Sequence, residues 1–423
     1  MLAIALCASC GPVFSQSGPT PPSRQVFYSN IESTIVRELG DPRPTAAGDA
    51  LRALDWLIYG HVNVGGAYDS NTVSSPTSRP AYGSRFQPYV IAERNNGIQR
   101  TLLYGTGDIR YYPSLGRLDV MNTTAGAAHV WEIQRDLIFR VQAEATRAME
   151  SSALTGTSTT PGVIYTEPAS YTSLFGSTSI QKSFGNFFTA IGGSVTGTTY
   201  DNTKDNLGNV VSEQFRNGTM STLNGRIGYH LTPLVYTFVE PSLIWARYNS
   251  SSLDSDGYKI RGGFGTDRIS LFSGEIYGGT LTQHFHDPHI PTLTSWLYGG
   301  KISWYPTRFV TVTGAVDQTI GTSDFSVGLF TPGSVTKINT AKLDASWSAT
   351  RVVTLNGRLT FKQYEFLNSF RRDDSKETGL SVAYNVTPRF SIVVDFSHIQ
   401  YTSNLAGAGY TRNFVSVGGN TKF

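Results

Sequence analysis

From Leu57 to Phe423 the sequence is a succession of segments, each about ten residues or longer, in which apolar and polar side chains alternate. In WLYGGKISWY, for example, Trp296, Ile302 and Trp304 fall on one face, whereas Lys301 and Ser303 fall on the other. Alternation with a period of two predicts β-strands that have one apolar and one polar face. Such strands occur both in soluble sandwiches and in membrane barrels, so the connections must distinguish the two folds.

The connections alternate between short turns and long polar loops. Short turns are predicted near residues 94–98, 132–136, 183–186, 231–234, 266–269, 305–308, 349–351 and 386–389. Loops rich in Ser, Asn, Gly and Asp are predicted near 69–84, 112–117, 151–169, 201–214, 249–257, 285–292, 321–335, 367–376 and 402–411. This asymmetry is typical of outer-membrane barrels, which have tight periplasmic turns and long external loops. We therefore expect an all-β fold, a transmembrane antiparallel β-barrel of about 18 strands with both termini in the periplasm.

One turn motif recurs along the chain. GYHLTPLVYTF at 228, SWYPTRFVTVT at 303, SWSATRVVTLN at 346 and AYNVTPRFSIV at 383 each have an aromatic residue, a short turn built on Thr with Pro or Arg, and an alternating run. We interpret these as periplasmic hairpins. The aromatic residues expected at the membrane interface, facing lipid, are Tyr229, Trp296, Trp304, Trp347 and Tyr384.

The N-terminal part of the chain has a different character. Residues 1–15 form an apolar stretch suited to a signal peptide, which contains both cysteines, Cys7 and Cys10. A lipoprotein signal with Cys10 acylated is the less favoured alternative. Residues 16–56 predict a periplasmic arm with short helical segments, in IESTIVREL and AGDALRALDWL, and residues 57–423 form the barrel.

Charge and the C-terminus narrow the possible partners. The chain has 34 basic and 31 acidic residues, without a basic run, which gives no support for nucleic acid binding. Phe423 ends the last predicted strand and resembles the terminal aromatic insertion signal of bacterial outer-membrane proteins. We expect contacts with outer-membrane lipid, lipopolysaccharide and the barrel-assembly machinery.

The first predicted strand, GHVNVGGAYDSNT, contains the most characteristic residues. Its Gly-rich run and the element Tyr68, Asp69, Ser70, Asn71 resemble the opening strand of the putative β-barrel porin family of proteobacterial outer-membrane proteins. Some members of that family are associated with exopolysaccharide systems. The resemblance implies the barrel and its location, and it adds polysaccharide or its export components to the candidate partners.

Charged residues on the polar strand faces are the candidate site. Because a charge that faces lipid costs several kcal/mol near the bilayer midplane, we expect these side chains to point inward. The predicted pore-lining residues are Arg110, Arg140, Glu144, Arg226, Glu240, Lys259, Arg261, Glu275, Lys301, Asp317, Asp344, Arg358, Lys362 and Asp395, with Asp108 and Lys342 on the same faces. They predict a polar channel with weak or mildly anionic selectivity. Opposite charges, such as Asp344 and Arg358, are also expected to pair across neighbouring strands and hold the wall together, which still leaves a path for solutes.

Other chemical signals are weaker. His284, His286 and His289 lie close to Asp287, but the segment is predicted to be an external loop, so a solvated loop is favoured over a metal site. Ser397 and His398 are neighbours on one strand and point to opposite faces, which excludes a catalytic pair. Asp373 and Asp374 are interpreted as part of a solvated external loop. No enzyme activity, metal or cofactor is expected.

Two functions remain open at this point. The first is an outer-membrane channel for passive passage of small solutes or for export of polysaccharide. The second is a surface protein that does not transport, whose external loops bind polysaccharide or a partner.

Overall fold

The computed structural model describes residues 51–423 apart from 73, 75–77, 116–118, 150–168, 205–207, 270, 324–333, 367–369 and 405–408. Long strands follow one another along the chain, and each pairs antiparallel with the next. The first long strand also pairs with the last, so the sheet closes into an 18-stranded barrel. The predicted fold class and strand number are confirmed.

The strands of the wall are 13 to 15 residues long, enough to cross a bilayer at the usual tilt. They are β1 Trp56–Asp69, β2 Ala81–Asn95, β3 Gln99–Tyr111, β4 Val120–Gln134, β5 Leu137–Met149, β6 Ser170–Phe184, β7 Phe187–Tyr200, β8 Gly218–Thr232, β9 Val235–Tyr248, β10 Ser255–Ile269, β11 Phe272–Phe285, β12 Leu293–Thr307, β13 Val310–Ser323, β14 Ser334–Ser348, β15 Val353–Phe366, β16 Arg372–Asn385, β17 Phe390–Ser403 and β18 Tyr410–Lys422.

Closure between β1 and β18 leaves no free sheet edge in the membrane. The pairing runs from His61 opposite Lys422 to Asp69 opposite Phe414. Beyond it, Gly60 and Phe423 exchange two backbone hydrogen bonds of 3.1 Å. An open edge would leave a row of unpaired backbone groups in hydrocarbon, so this ladder is a condition for a stable membrane protein.

The outer face of the wall is apolar and carries the predicted aromatic residues. Trp296, Trp304, Trp347 and Tyr384 are 75%, 41%, 50% and 50% exposed on this face. Tyr229 packs against the ring of Phe187, with centroids 4.7 Å apart. A belt of aromatic side chains at the ends of the apolar band is the usual anchor of such barrels at the membrane interface.

The recurring Thr of the turn motif has a local structural reason. The hydroxyl oxygen of Thr350 accepts hydrogen bonds from the backbone N–H groups of Val352 and Val353. Thr232, Thr307 and Thr387 accept equivalent bonds within their own turns. A short polar side chain thus satisfies the backbone donors that a tight turn leaves without a strand partner.

The part of the N-terminal arm that the structure describes is extended. Leu51–Ala53 forms a short strand that pairs with the start of β1, and Leu54 turns the chain with a φ of 56°. In residues 51–57, the described part of AGDALRALDWL, the helical spacing is therefore not realised, because Leu51–Ala53 pairs with the start of β1 instead. The predicted signal peptide and the rest of the arm lie outside the described residues. Within those residues no helix is long and apolar enough to span a membrane.

Most predicted connections fall where the sequence placed them, and some are shifted. The turns predicted at 266–269 and 305–308 lie instead between Ile269 and Phe272 and between Thr307 and Val310. Of the long connections, that between β7 and β8 contains a two-residue ladder, Thr203–Lys204 with Val210–Val211, and a 3-10 turn at Gln214–Arg216.

Candidate functional site

The strand register places the predicted pore-lining residues on the inner face of the wall. Contacts between strands that are not neighbours show which face is concave. Arg226 on β8, for example, reaches Glu275 on β11, with Nη1 and Oε2 3.0 Å apart. Tyr277 on β11 likewise donates to Asp317 on β13 over 2.8 Å.

A charged belt runs across the inner face of β8 to β16. It consists of Arg226, Glu240, Lys259, Arg261, Glu275, Lys301, Asp317, Lys342, Asp344, Arg358, Lys362 and Glu377. Glu377 was not predicted to line the pore. The external loop was expected to extend to residue 376, so this carboxylate was expected at the very start of the next strand.

The first half of the belt is a chain of ion pairs. Glu240 lies between two guanidinium groups, 2.6 Å from Arg226 Nε and 2.5 Å from Arg261 Nη2. Glu275 accepts from Arg226 and from the hydroxyl of Tyr236, the latter over 3.0 Å. Such charge-assisted bonds hold the side chains of four strands against the wall, so their charges largely cancel locally.

The second half is paired more sparsely. Arg358 Nε lies 2.6 Å from Asp344 Oδ1, which is the pair suggested by the sequence. Lys301 lies directly opposite Glu275 in the ladder between β11 and β12. Lys259 and Lys362, by contrast, have no ion-pair partner within 4.0 Å in the part of the chain that the structure describes. Both are attracted only over longer distances, Lys259 by Glu240 and Asp317 and Lys362 by Glu377.

Four predicted residues lie outside the belt, and two of them are on the inner face of β5. Arg140 on β5 donates to the side-chain carbonyl of Gln181 over 3.2 Å. Glu144 on the same strand accepts from the hydroxyl of Tyr104 over 2.7 Å. Each is thus bonded to a neutral polar group of a nearby strand.

A second group of charges, which we call the seam cluster, lies where the barrel closes. It contains Asp69, Arg85, Asp108, Arg110, Asp395 and Arg412, from β1, β2, β3, β17 and β18. Arg85 bridges Asp108 and Asp395 at 2.9 Å each, and Arg110 bonds Asp108 over 2.6 Å. The sequence predicted Arg110 and Asp395 but gave no sign of Arg85 or Arg412.

The seam cluster explains the element from Tyr68 to Asn71. Asp69 is fully buried and accepts from Arg412 Nη2 over 2.5 Å and from the backbone N–H of Asn71 over 3.1 Å. Ser70 and Asn413 exchange two bonds, of 2.9 and 2.8 Å. These bonds therefore hold the long-loop end of β1 against β18.

The inner face is apolar near the long loops, which the sequence did not predict. One cluster contains Ile338, Tyr364, Phe366, Ile399, Tyr401 and Tyr410, and a second contains Ile244, Leu281, Phe285, Leu297 and Ile320. Ile290, from the connection between β11 and β12, packs on the second cluster. Arg216, from the connection between β7 and β8, stacks over the Tyr200 ring at 3.9 Å. These loops thus contact the inner wall.

The prediction that Asp373 and Asp374 belong to a solvated loop is wrong. Both lie in β16, which begins at Arg372. Asp373 is fully buried, accepts from Tyr401 over 2.6 Å and pairs with Arg371 at 2.7 Å. The buried arginine and tyrosine compensate the carboxylate, so the strand extends into a run of charges that usually marks a loop.

The histidines are distributed over separate contacts. His286 lies 2.9 Å from Asp256, His284 bonds Thr292 over 2.8 Å, and the side chain of His289 is 81% exposed. Across the described ranges, no three His, Cys, Asp or Glu side chains form a group that could hold a metal ion. His398 bonds Asn413 over 2.7 Å, whereas Ser397 is paired in register with Phe414.

Comparison with known proteins identifies the family. The model of the family described as Putative beta-barrel porin 2 matches residues 43–423. The chain belongs to this family. Together with the closed barrel, this membership places the protein in the bacterial outer membrane. No curated protein matches the sequence.

Solved outer-membrane proteins resemble this porin-family barrel in fold only. The siderophore receptor PirA from Acinetobacter baumannii is 7% identical with a TM-score of 0.42, over 86% of this chain and 80% of its own. OpdL from Pseudomonas aeruginosa is 10% identical with a TM-score of 0.41, over 88% and 100%. The FrpB iron transporter from Neisseria meningitidis is 9% identical with a TM-score of 0.39, over 86% and 81%.

Proposed function

We propose that the protein is an outer-membrane channel through which small polar solutes pass passively, with a mild preference for anions. The observation that carries this proposal is the position of Lys259 and Lys362 on the inner wall, without a carboxylate in ion-pair range in the described chain. A half-buried ammonium group inside a barrel, without a partner, is costly unless water solvates it. Two such groups therefore favour a hydrated lumen over a dry core.

The selectivity follows from which charges cancel. Glu240 and Glu275 together compensate Arg226 and Arg261, and Asp344 compensates Arg358. The belt as a whole has seven basic and five acidic side chains, so a small residual positive potential remains, which a narrow passage with low-dielectric walls makes effective on passing ions. The expected selectivity residues are therefore Lys259 and Lys362, and not Arg358, which is paired with Asp344.

We further propose that the long loops face the outside of the cell and that both ends of the chain face the periplasm. The asymmetry of short turns and long loops supports this orientation. Export of polysaccharide, which the family resemblance suggests, is a narrower form of the same channel function. In that case added oligosaccharide blocks the current through the open channel.

Single-channel recording in planar bilayers tests the proposal. The wild-type protein should give current steps whose size rises linearly with voltage. In a salt gradient, its reversal potential should have the sign expected of a channel that prefers anions. The variant Lys259→Gln, Lys362→Gln should move the reversal potential toward cation selectivity, and high salt should shrink the difference because ions screen the wall. Lys337→Gln is the matched control, since Lys337 pairs with Glu365 at 3.6 Å on the opposite, outer face.

The second candidate is a surface protein with a closed lumen. The observation that favours it is the packing of Ile290 and Arg216 against the inner wall at the long-loop end. A properly folded barrel that passes no current in the same experiment would refute the channel and favour this candidate. Binding of polysaccharide to whole cells would then be the measurement to make.

A further inference from the structure

An apolar groove of about 590 Å³ crosses the lipid-facing surface from β11 to β16. It follows a row of residues that are directly opposite one another in the ladders: Ile276, Gly300, Val316, Ala341, Phe361 and Lys376. All except the last are apolar. The groove is thus a continuous track along one cross-strand row, not a gap between two side chains.

Small residues in the middle of the track create the depression. Gly300, Gly314 and Ala341 line the floor, between the exposed side chains of Ile276 and Leu343. A Cβ atom added at Gly314 would have no neighbour within 4 Å, which shows how much space lies above it. The missing side chains leave room for a slender apolar chain.

The direction of the track is set by the tilt of the strands. A row perpendicular to strands that are tilted by about 35–45° climbs obliquely through the bilayer. In this barrel it begins at Ile276, near the turn end of β11, and reaches Lys376, near the long-loop end of β16. A lipid with its headgroup near Lys376 would therefore lay an acyl chain along the groove.

Lys376 itself indicates the headgroup. Its side chain is exposed on the outer face, opposite Phe361, and has no ion-pair partner within 4.0 Å in the described part of the chain. Lys337, on the same face of β14, is by contrast paired with Glu365. An unpaired cation that faces lipid is stable only if its flexible stem brings the ammonium group to an anion at the interface.

We propose that this groove and Lys376 bind an acylated, phosphate-bearing glycolipid of the outer leaflet, of the lipid A class. One acyl chain lies over Gly300, Gly314 and Ala341, and a phosphate group contacts the Lys376 ammonium. The inference rests on the orientation proposed above, since the opposite orientation would place Lys376 in the phospholipid leaflet. It does not require an open lumen.

Native mass spectrometry of the delipidated barrel, titrated with bis-phosphorylated lipid A in mixed micelles, tests the proposal. The wild type should bind one lipid A tightly. Gly314→Leu should lower the affinity at least several-fold by filling the groove. Lys376→Gln should lower it about fivefold, the effect expected of one lysine at an anionic surface, but should leave binding of dephosphorylated lipid A unchanged.

Matched controls separate this site from general effects on the barrel. Gly66→Leu adds the same side chain at another open position of the outer face, and Lys337→Gln removes a paired lysine; both should bind lipid A like the wild type. Unchanged heat-modifiable migration on gels verifies that each variant is folded. The proposed site would be refuted if Gly314→Leu and Lys376→Gln both bound lipid A as tightly as the wild type. Preferential binding of phosphatidylglycerol would overturn its assignment to the outer leaflet.

Discussion

Asp69→Asn should destabilise the barrel far more than a surface substitution of the same kind. Asp69 is fully buried and forms three close contacts with the guanidinium group of Arg412, of 2.5 to 3.1 Å. The amide that replaces it has nearly the same shape but no charge. The side chain of Arg412, which is only 11% exposed, then remains without its counterion at the closing seam.

Removing one partner of a buried ion pair typically costs about 3–5 kcal/mol, because an uncompensated charge stays buried. An unfolding equilibrium that changes tenfold for each ~1.4 kcal/mol would therefore shift by more than about a hundredfold. Asp69→Asn combined with Arg412→Met removes both charges and should recover a large part of the loss. Asp55→Asn is the control. It breaks the ion pair between Arg94 and Asp55, whose side chains are 51% and 76% exposed, and should cost at most about 1 kcal/mol.

The assay is equilibrium unfolding in urea of the barrel folded in lipid vesicles, followed by tryptophan fluorescence and by heat-modifiable migration. The urea midpoint of Asp69→Asn should fall well below those of the wild type and Asp55→Asn. If Asp69→Asn and Asp55→Asn lose the same stability, the seam cluster does not hold the barrel closed. Arg412→Met is measured alone as well. If the double variant loses as much stability as Asp69→Asn and Arg412→Met added together, the two side chains are not coupled.

Three further results are expected. Phe423→Ala should lower the amount of heat-modifiable barrel in outer membranes relative to wild type, because the terminal aromatic is lost; equal amounts would show that it is not a signal for insertion. His289→Cys should react with a membrane-impermeant maleimide on intact cells, whereas Arg351→Cys should react only after permeabilisation. The sequence has no cysteine after Cys10, so each variant carries a single reporter thiol in the barrel. The reverse pattern would show that the orientation in the membrane is inverted. Thr350→Ala should destabilise the barrel in urea by about 0.5–1.5 kcal/mol, because two turn N–H groups lose their acceptor, and an unchanged midpoint would show that water replaces it.

The sequence predicted the barrel because the relevant signals are local. Alternation along a strand decides which side chains face lipid, and Trp296 and Trp347 lie on the outer face as their register requires. The Thr of each hairpin acts within its own turn, so a repeated motif is visible without knowledge of the tertiary structure.

The pairing of the inner charges could not be predicted in the same way. Asp69 and Arg412 are 343 residues apart and meet only because β1 closes on β18. Asp373 was misplaced for a related reason: a run of charges usually marks a loop, but Tyr401 from β17 and the neighbouring Arg371 compensate this carboxylate. Which charge is compensated depends on strand order and closure, which no local pattern contains.

The inner face also divides by height, and this division gives the two ends of the passage different tasks. The apolar clusters around Tyr364 and Leu281 lie near the long loops, and Lys259, directly opposite Leu281, and Lys362, two residues before Tyr364, lie at the border between these clusters and the charged belt. An ion near the apolar end meets few fixed charges, so that end restricts passage mainly by its width and by the loss of hydration. The charge filter then lies at the belt, and substitutions at the apolar end should change conductance more than the reversal potential.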